Sequence, residues 1–81
     1  MTLLETPLNR NQACQLIDEE LDRAFAKHPS AGWSAHQGYA ILLEEVDEAW
    51  DEIKRDDLKA ARKEMIQVAA MAIRFLVEVG R

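Results

Sequence analysis

The chain has 81 residues, 48% of them hydrophobic and 31% charged, with a formal net charge of -5. This length forms one small domain whose core is marginal by itself, and the acidic balance excludes a nucleic-acid binder that works by neutralising phosphates. Three glycines and two prolines leave little material for tight turns and favour helices, while a single cysteine, Cys14, excludes an intrachain disulfide and suits a reducing compartment.

Residues 1–8 read as a tail and residues 9–81 as a single all-α domain. Met1 to Pro7 has neither a basic start nor a long apolar stretch, so no signal peptide is expected. The first helix is predicted from about Asn9 or Asn11 to Lys27, because Ala13, Leu16, Ile17, Leu21, Ala24 and Phe25 recur at steps of three and four. Pro29 and Gly32 then break the pattern.

Ser34-Ala35-His36-Gln37 has the form of a capping box, placing the start of the second helix near Ala35. Its expected buried stripe is Tyr39, Leu42, Leu43, Val46, Trp50 and Ile53, with Glu44, Glu45, Glu48 and Glu52 gathered opposite. Lys54 to Asp57 is a polar break in which Asp56 or Asp57 can cap the third helix, expected from Leu58 to about Val79 with Gly80 terminating it. The half from Met65 onwards is apolar almost all round. Three helices enclose such a segment poorly, so a second chain is expected to cover it, and the fold class is an all-α, three-helix chain that completes a bundle by dimerising. The run Met65 to Val79 is interrupted by Gln67, Arg74 and Glu78 and is shorter than the ~20 residues that span a bilayer. A cytoplasmic protein with no membrane partner is expected.

Glu44, Glu45 and Glu48 share one helix face, as do Glu64 and Gln67 on the next helix, because positions three and four apart are neighbours. Acidic faces of this kind are commonly solvated. Two features favour a site instead: the carboxylates repel one another with few intervening bases, and Ile41 lies on the same side, as though part of the face were covered. Carboxylates from facing helices can hold a divalent cation, and magnesium suits oxygen ligands completed by water and substrate phosphates. Glu64, Gln67, Met71, Arg74 and Glu78 form one stripe of the third helix whose polar members need a metal ion, a neighbouring helix or water to satisfy them.

The run His36 to Trp50, followed by Lys63 to Leu76, resembles the MazG-like all-α nucleoside triphosphate pyrophosphohydrolases, with similarity extending over about Leu21 to Glu78. That superfamily carries Glu-Glu-x-x-Glu on one helix and Glu-x-x-Asp on the next. The resemblance implies magnesium (with manganese as an alternative), a nucleoside triphosphate split into monophosphate and pyrophosphate, and a homodimer or dimer of dimers. It assigns Glu45, Glu48 and Glu64 as metal ligands, with Gln67 at the fourth ligand position and Glu44 as a ligand or water-orienting base. Gln67 departs from the pattern: it stands where the motif has Asp, and an amide brings no negative charge.

Further candidates lie nearby. Lys54 and Lys63 belong to a basic group at the second turn that either steers phosphates or, more simply, pairs with Asp56 and Asp57. Trp33 either stacks on a base or closes the start of the second helix. His36 reaches substrate only if the loop before it folds over the site. The rival functional class is a non-catalytic helical dimer that kept the fold as a binding or regulatory module.

Overall fold

Each helix begins where a short polar side chain takes up a free amide of the first turn. In the computed structural model, which describes residues 6–81, α1 (Arg10–Lys27), α2 (Ala35–Lys54) and α3 (Leu58–Glu78) account for most of the described residues, with no strand among them. Asn9 caps α1 in a full capping box: its Oδ1 accepts from the Gln12 amide at 2.8 Å, and the Gln12 Oε1 accepts from the Asn9 amide at 3.0 Å. Ser34 Oγ accepts from the Gln37 amide at 3.1 Å, realising the Ser34 half of the expected box. Of the two aspartates that could start α3, Asp57 does so, its Oδ1 accepting from the Ala60 amide at 3.0 Å.

Asp56 has a different task. It adopts φ 58°, the left-handed conformation that ends α2. The Asp56 amide donates to Ile53 O at 3.0 Å and the Asp57 amide to Glu52 O at 3.1 Å, the paired bonds of a Schellman turn. So short a connection makes α2 and α3 an antiparallel hairpin. Gly80, at φ 95°, likewise takes the left-handed conformation just beyond α3.

The central element is α3: α1 and α2 each pack on it and, among the described residues, not on each other. Ala49, Ala61, Ala70 and Met71 form the buried apolar core, joined by Gly38 on α2. Thr6 to Leu8 lie against this bundle, with the Thr6 carbonyl accepting from Arg62 Nη2 and Leu8 half-buried beside Ile17 and Met65. The rest of the expected tail, residues 1–5, lies outside the described residues.

The stripe expected to be buried on α2 is not buried within this chain. Tyr39 is 62% and Trp50 54% exposed, Leu43, Val46 and Ile53 are exposed as well, and Leu42 alone is half-buried. The face turned to α3 runs instead through Gly38, Ile41, Leu42, Glu45, Ala49 and Glu52. Small residues at Gly38 and Ala49 let the helix axes approach, and α1 is not placed to cover the bulky stripe. The apolar surround of α3 is also incompletely enclosed, with Met65, Ile73 and Leu76 exposed.

Two members of the polar stripe of α3, Gln67 and Arg74, find partners across the α1–α3 interface. Arg74 is buried, donating from Nη1 to Ala24 O at 3.0 Å and from Nη2 to His28 O, so it serves two carbonyls at the end of α1, of which Ala24 O also accepts from the His28 amide. Its guanidinium lies 4.3 Å from the Phe25 ring centre and 3.3 Å from Oε2 of the fully buried Glu78. No helix among the described residues is long and apolar enough to cross a membrane.

Candidate metal centre

The hairpin sets the register of the acidic groups. Glu48 and Glu64 stand eight residues before and after Asp56, and Glu45 and Gln67 eleven before and after, so each pair lies level across the α2–α3 interface. The outcome is a convergence of Glu45, Glu48 and Glu64, which each offer one carboxylate oxygen such that these atoms lie within 4.8 Å of one another. Glu45 and Glu64 are half-buried while Glu48 faces solvent.

Such crowding is costly without a counter-charge. Burial, followed by the charges of Glu48, Glu64 and Glu44, pushes Glu45 up from 4.5 to about 6. Burial, and then the Glu48 charge, raises the Glu64 pKa as well, against a smaller opposing pull from Lys63. A hard divalent cation fits this set: all the donors are carboxylate oxygens, and positive charge among them removes the repulsion that makes them hold protons.

Glu44 is exposed beside this group and acts on it through its charge, without being one of the converged three. Gln67 donates from Nε2 to Glu20 Oε1 on α1. Both of these side chains border a cavity of about 860 Å³ between α1 and the α2–α3 hairpin, shared with Glu45, Trp33, Arg23 and Arg74. Glu20 and Arg23 were not foreseen. Glu20, Ala24 and Lys27 follow one helical face, but only the packing of α1 on α3 reveals that this face borders the carboxylates.

The remaining candidates separate. The Trp33 amide donates to Glu78 O at 3.1 Å and its ring lies 5.4 Å from the Arg74 guanidinium carbon, so it closes the approach to α2 while also lining the cavity. His36 borders a different, apolar hollow with Tyr39, Leu42, Phe75 and Leu76. Lys54 lies 3.3 Å from Asp51 and 5.7 Å from the Trp50 ring centre, and Arg55 lies 2.8 Å from Glu52, so these two bases pair one turn back along α2 rather than with Asp56 or Asp57. Lys63 is exposed next to Glu64.

Fold and site together define an all-helical, three-helix chain with an acidic centre at a hairpin interface. Comparison with known proteins finds no matching family model, no matching curated protein and no matching solved structure.

Proposed function

We propose that this chain is a magnesium-dependent nucleoside triphosphate pyrophosphohydrolase of the MazG-like all-α type, working as a helical homodimer. The observation that carries this reading is the convergence of Glu45, Glu48 and Glu64 across the hairpin. These three residues would hold the ion, and Gln67 borders the same cavity as Glu45. Bound there, magnesium or manganese supplies positive charge that offsets the charge developing on phosphate oxygens. Glu44, exposed beside Glu45, is free of the cluster and suited to orient a water and take its proton as the water oxygen attacks at the α–β phosphoanhydride. Monophosphate and pyrophosphate are the products. The cavity has a size suited to a small-molecule ligand, with Trp33, Arg23 and Lys27 on its walls.

The exposed line of Tyr39, Leu43, Val46 and Trp50 supports a second copy, because a monomer seldom leaves so continuous an apolar strip in water. Two or four chains satisfy this equally.

The purified chain should release pyrophosphate from at least one canonical, deoxy or modified triphosphate when magnesium is present, and Glu48→Gln should lower the release by more than about 100-fold. Silence across a broad panel, together with no magnesium binding by calorimetry, overturns the proposal. One observation favours the non-catalytic alternative: the amide at position 67 is neutral and already bonded to α1. Under that reading, neither Gln67→Asp nor Glu48→Gln alters hydrolysis or cation affinity.

A further inference from the structure

Nε2 of Gln67 donates to Oε1 of Glu20 across the α1–α3 interface. The other oxygen of that carboxylate, Oε2, accepts from Arg23 Nε at 2.8 Å and lies 2.7 Å from Arg23 Nη2. Glu20 is thus held on both oxygens, and its side chain is only 16% exposed.

A carboxylate gripped in this way offers Gln67 acceptors only. The amide must therefore turn its NH2 group towards α1 and its carbonyl oxygen away. Left to itself, the amide would do the opposite. Gln67 stands level with Glu45, and a cluster of carboxylates attracts the NH2 group, which would then present donors where a cation needs oxygen. Glu20 competes for that NH2 from the other side of the cavity that Glu20, Glu45 and Gln67 share.

We propose that Glu20 is a positioning residue for the cation centre: by holding the Gln67 NH2, it aims the Gln67 carbonyl oxygen at the group formed by Glu45, Glu48 and Glu64. The inference rests on reading that group as a divalent-cation site. It gives position 67 a neutral oxygen donor, which adds a ligand without adding to the repulsion that already raises Glu45 and Glu64. Metal ligands are commonly oriented by such partners, and losing one typically lowers metal affinity by about 10–100-fold.

The test is calorimetric titration of the full chain with magnesium, and separately with manganese, alongside thermal unfolding without metal. The variants are Glu48→Gln, Glu20→Ala and the exchange Glu20→Gln with Gln67→Glu. Glu20→Ala should bind about 10–100-fold more weakly than wild type. The exchange should restore wild-type affinity or better, because the amide at position 20 donates to one oxygen of the carboxylate at 67 and leaves the other for the cation. Should Glu20→Ala fail to fold, Gln67→Met keeps the packing without either amide group and should show the same loss.

Wild-type affinity in Glu20→Ala or Gln67→Met, with Glu48→Gln weakened, overturns this proposal and leaves the cation site standing. An exchange variant as weak as Glu20→Ala also overturns it, since the role of Glu20 is then only structural. No binding by the wild-type chain removes the cation site and this inference together.

Discussion

Gly38 on α2 lies so close to Phe75 on α3 that a β-carbon built on it would stand 2.6 Å from Cδ2 and 2.9 Å from Cε2 of the ring. Trp33 Cε3 would be 3.3 Å away, a second close contact. A glycine inside a helix costs about 1 kcal/mol relative to alanine, and close approach is what compensates for it here. Gly38→Ala should gain that propensity and lose about 1–3 kcal/mol to overpacking. The net is a small destabilisation, read as a fall of several degrees in Tm. Because the same approach sets the height at which Glu45 and Gln67 face each other, cation affinity should fall with it. A raised Tm would show that the helices have room to spare.

Arg74 ties the end of α1 to α3 and neutralises the fully buried Glu78. Arg74→Met leaves Glu78 to Arg81 alone, at 3.6 Å. Breaking a buried pair in this way costs about 3–5 kcal/mol, a large part of the ~5–15 kcal/mol that holds a domain together. The double variant Arg74→Met with Glu78→Leu strands no charge and should recover much of the loss. Urea midpoints of the two variants check this; equal midpoints would mean that Glu78 is not what Arg74 protects.

The acidic centre makes stability depend on pH in a definite direction. Glu45 titrates near 6 rather than 4.5, and Glu64 is raised too, so both bind protons more tightly folded than unfolded. Their contribution to stability is fully present below about pH 4.5 and is lost as pH rises through about 6. Without metal, Glu45→Gln should therefore unfold at a higher temperature than wild type near neutral pH, with no such advantage in the more acidic range. Magnesium should raise the wild-type Tm near neutral pH by mass action, and a chelator should reverse the gain. Scanning calorimetry at acidic and neutral pH, with and without the ion, reads every part of this.

Much of the architecture is legible in the chain because it is written in local chemistry. Asn9, Ser34 and Asp57 cap the helices, and the observed spans start within a residue of the expected ones. The α2–α3 acidic group was also accessible, since helical spacing fixes which carboxylates share a face. The apolar pattern was misleading on α2: it marks Tyr39, Leu43, Val46 and Trp50 as a stripe to be covered without saying what covers it. In this chain Gly38 and Ala49, small and easily overlooked, define the face that meets α3. Glu20 escaped notice for a related reason. Helical spacing does set it apart from Asp18, Glu19 and Asp22, placing it on the apolar stripe between Ile17 and Ala24, but its partner lies 47 positions away and no local pattern names it.

The proposed second copy predicts a measurable mass. Sedimentation equilibrium should give at least twice the 9.2 kDa of one chain. Trp50 is 54% exposed towards the C-terminal end of the α2 strip, and buried aromatic anchors contribute about 2 kcal/mol or more to an interface. In a two-fold assembly each substitution occurs twice. Trp50→Glu should accordingly shift the protein to monomer at concentrations where wild type is fully assembled, with little change in helix content. A wild-type monomer at tens of micromolar would leave the strip unexplained and remove the dimer.

Position 67 separates charge from geometry. Gln67→Asp adds a negative charge near Glu45, and the new carboxylate can no longer donate to Glu20. Without metal the variant should unfold at a lower temperature, because Glu20 loses a donor and faces another acid. With magnesium present the balance reverses, since each added charge is attracted to a doubly charged ion. About tenfold tighter binding, ~1.4 kcal/mol, is expected, much less than bare attraction suggests because Glu20 and Glu45 oppose the newcomer. Glu48→Gln should move the other way. Its oxygen is common to the crowding of both Glu45 and Glu64, and pyrophosphate release should fall by more than about 100-fold, beyond the range of changes that merely reorient a ligand. Measured together by calorimetry and by pyrophosphate release, opposite signs for the two variants place the ion between α2 and α3, whereas parallel changes would place it elsewhere.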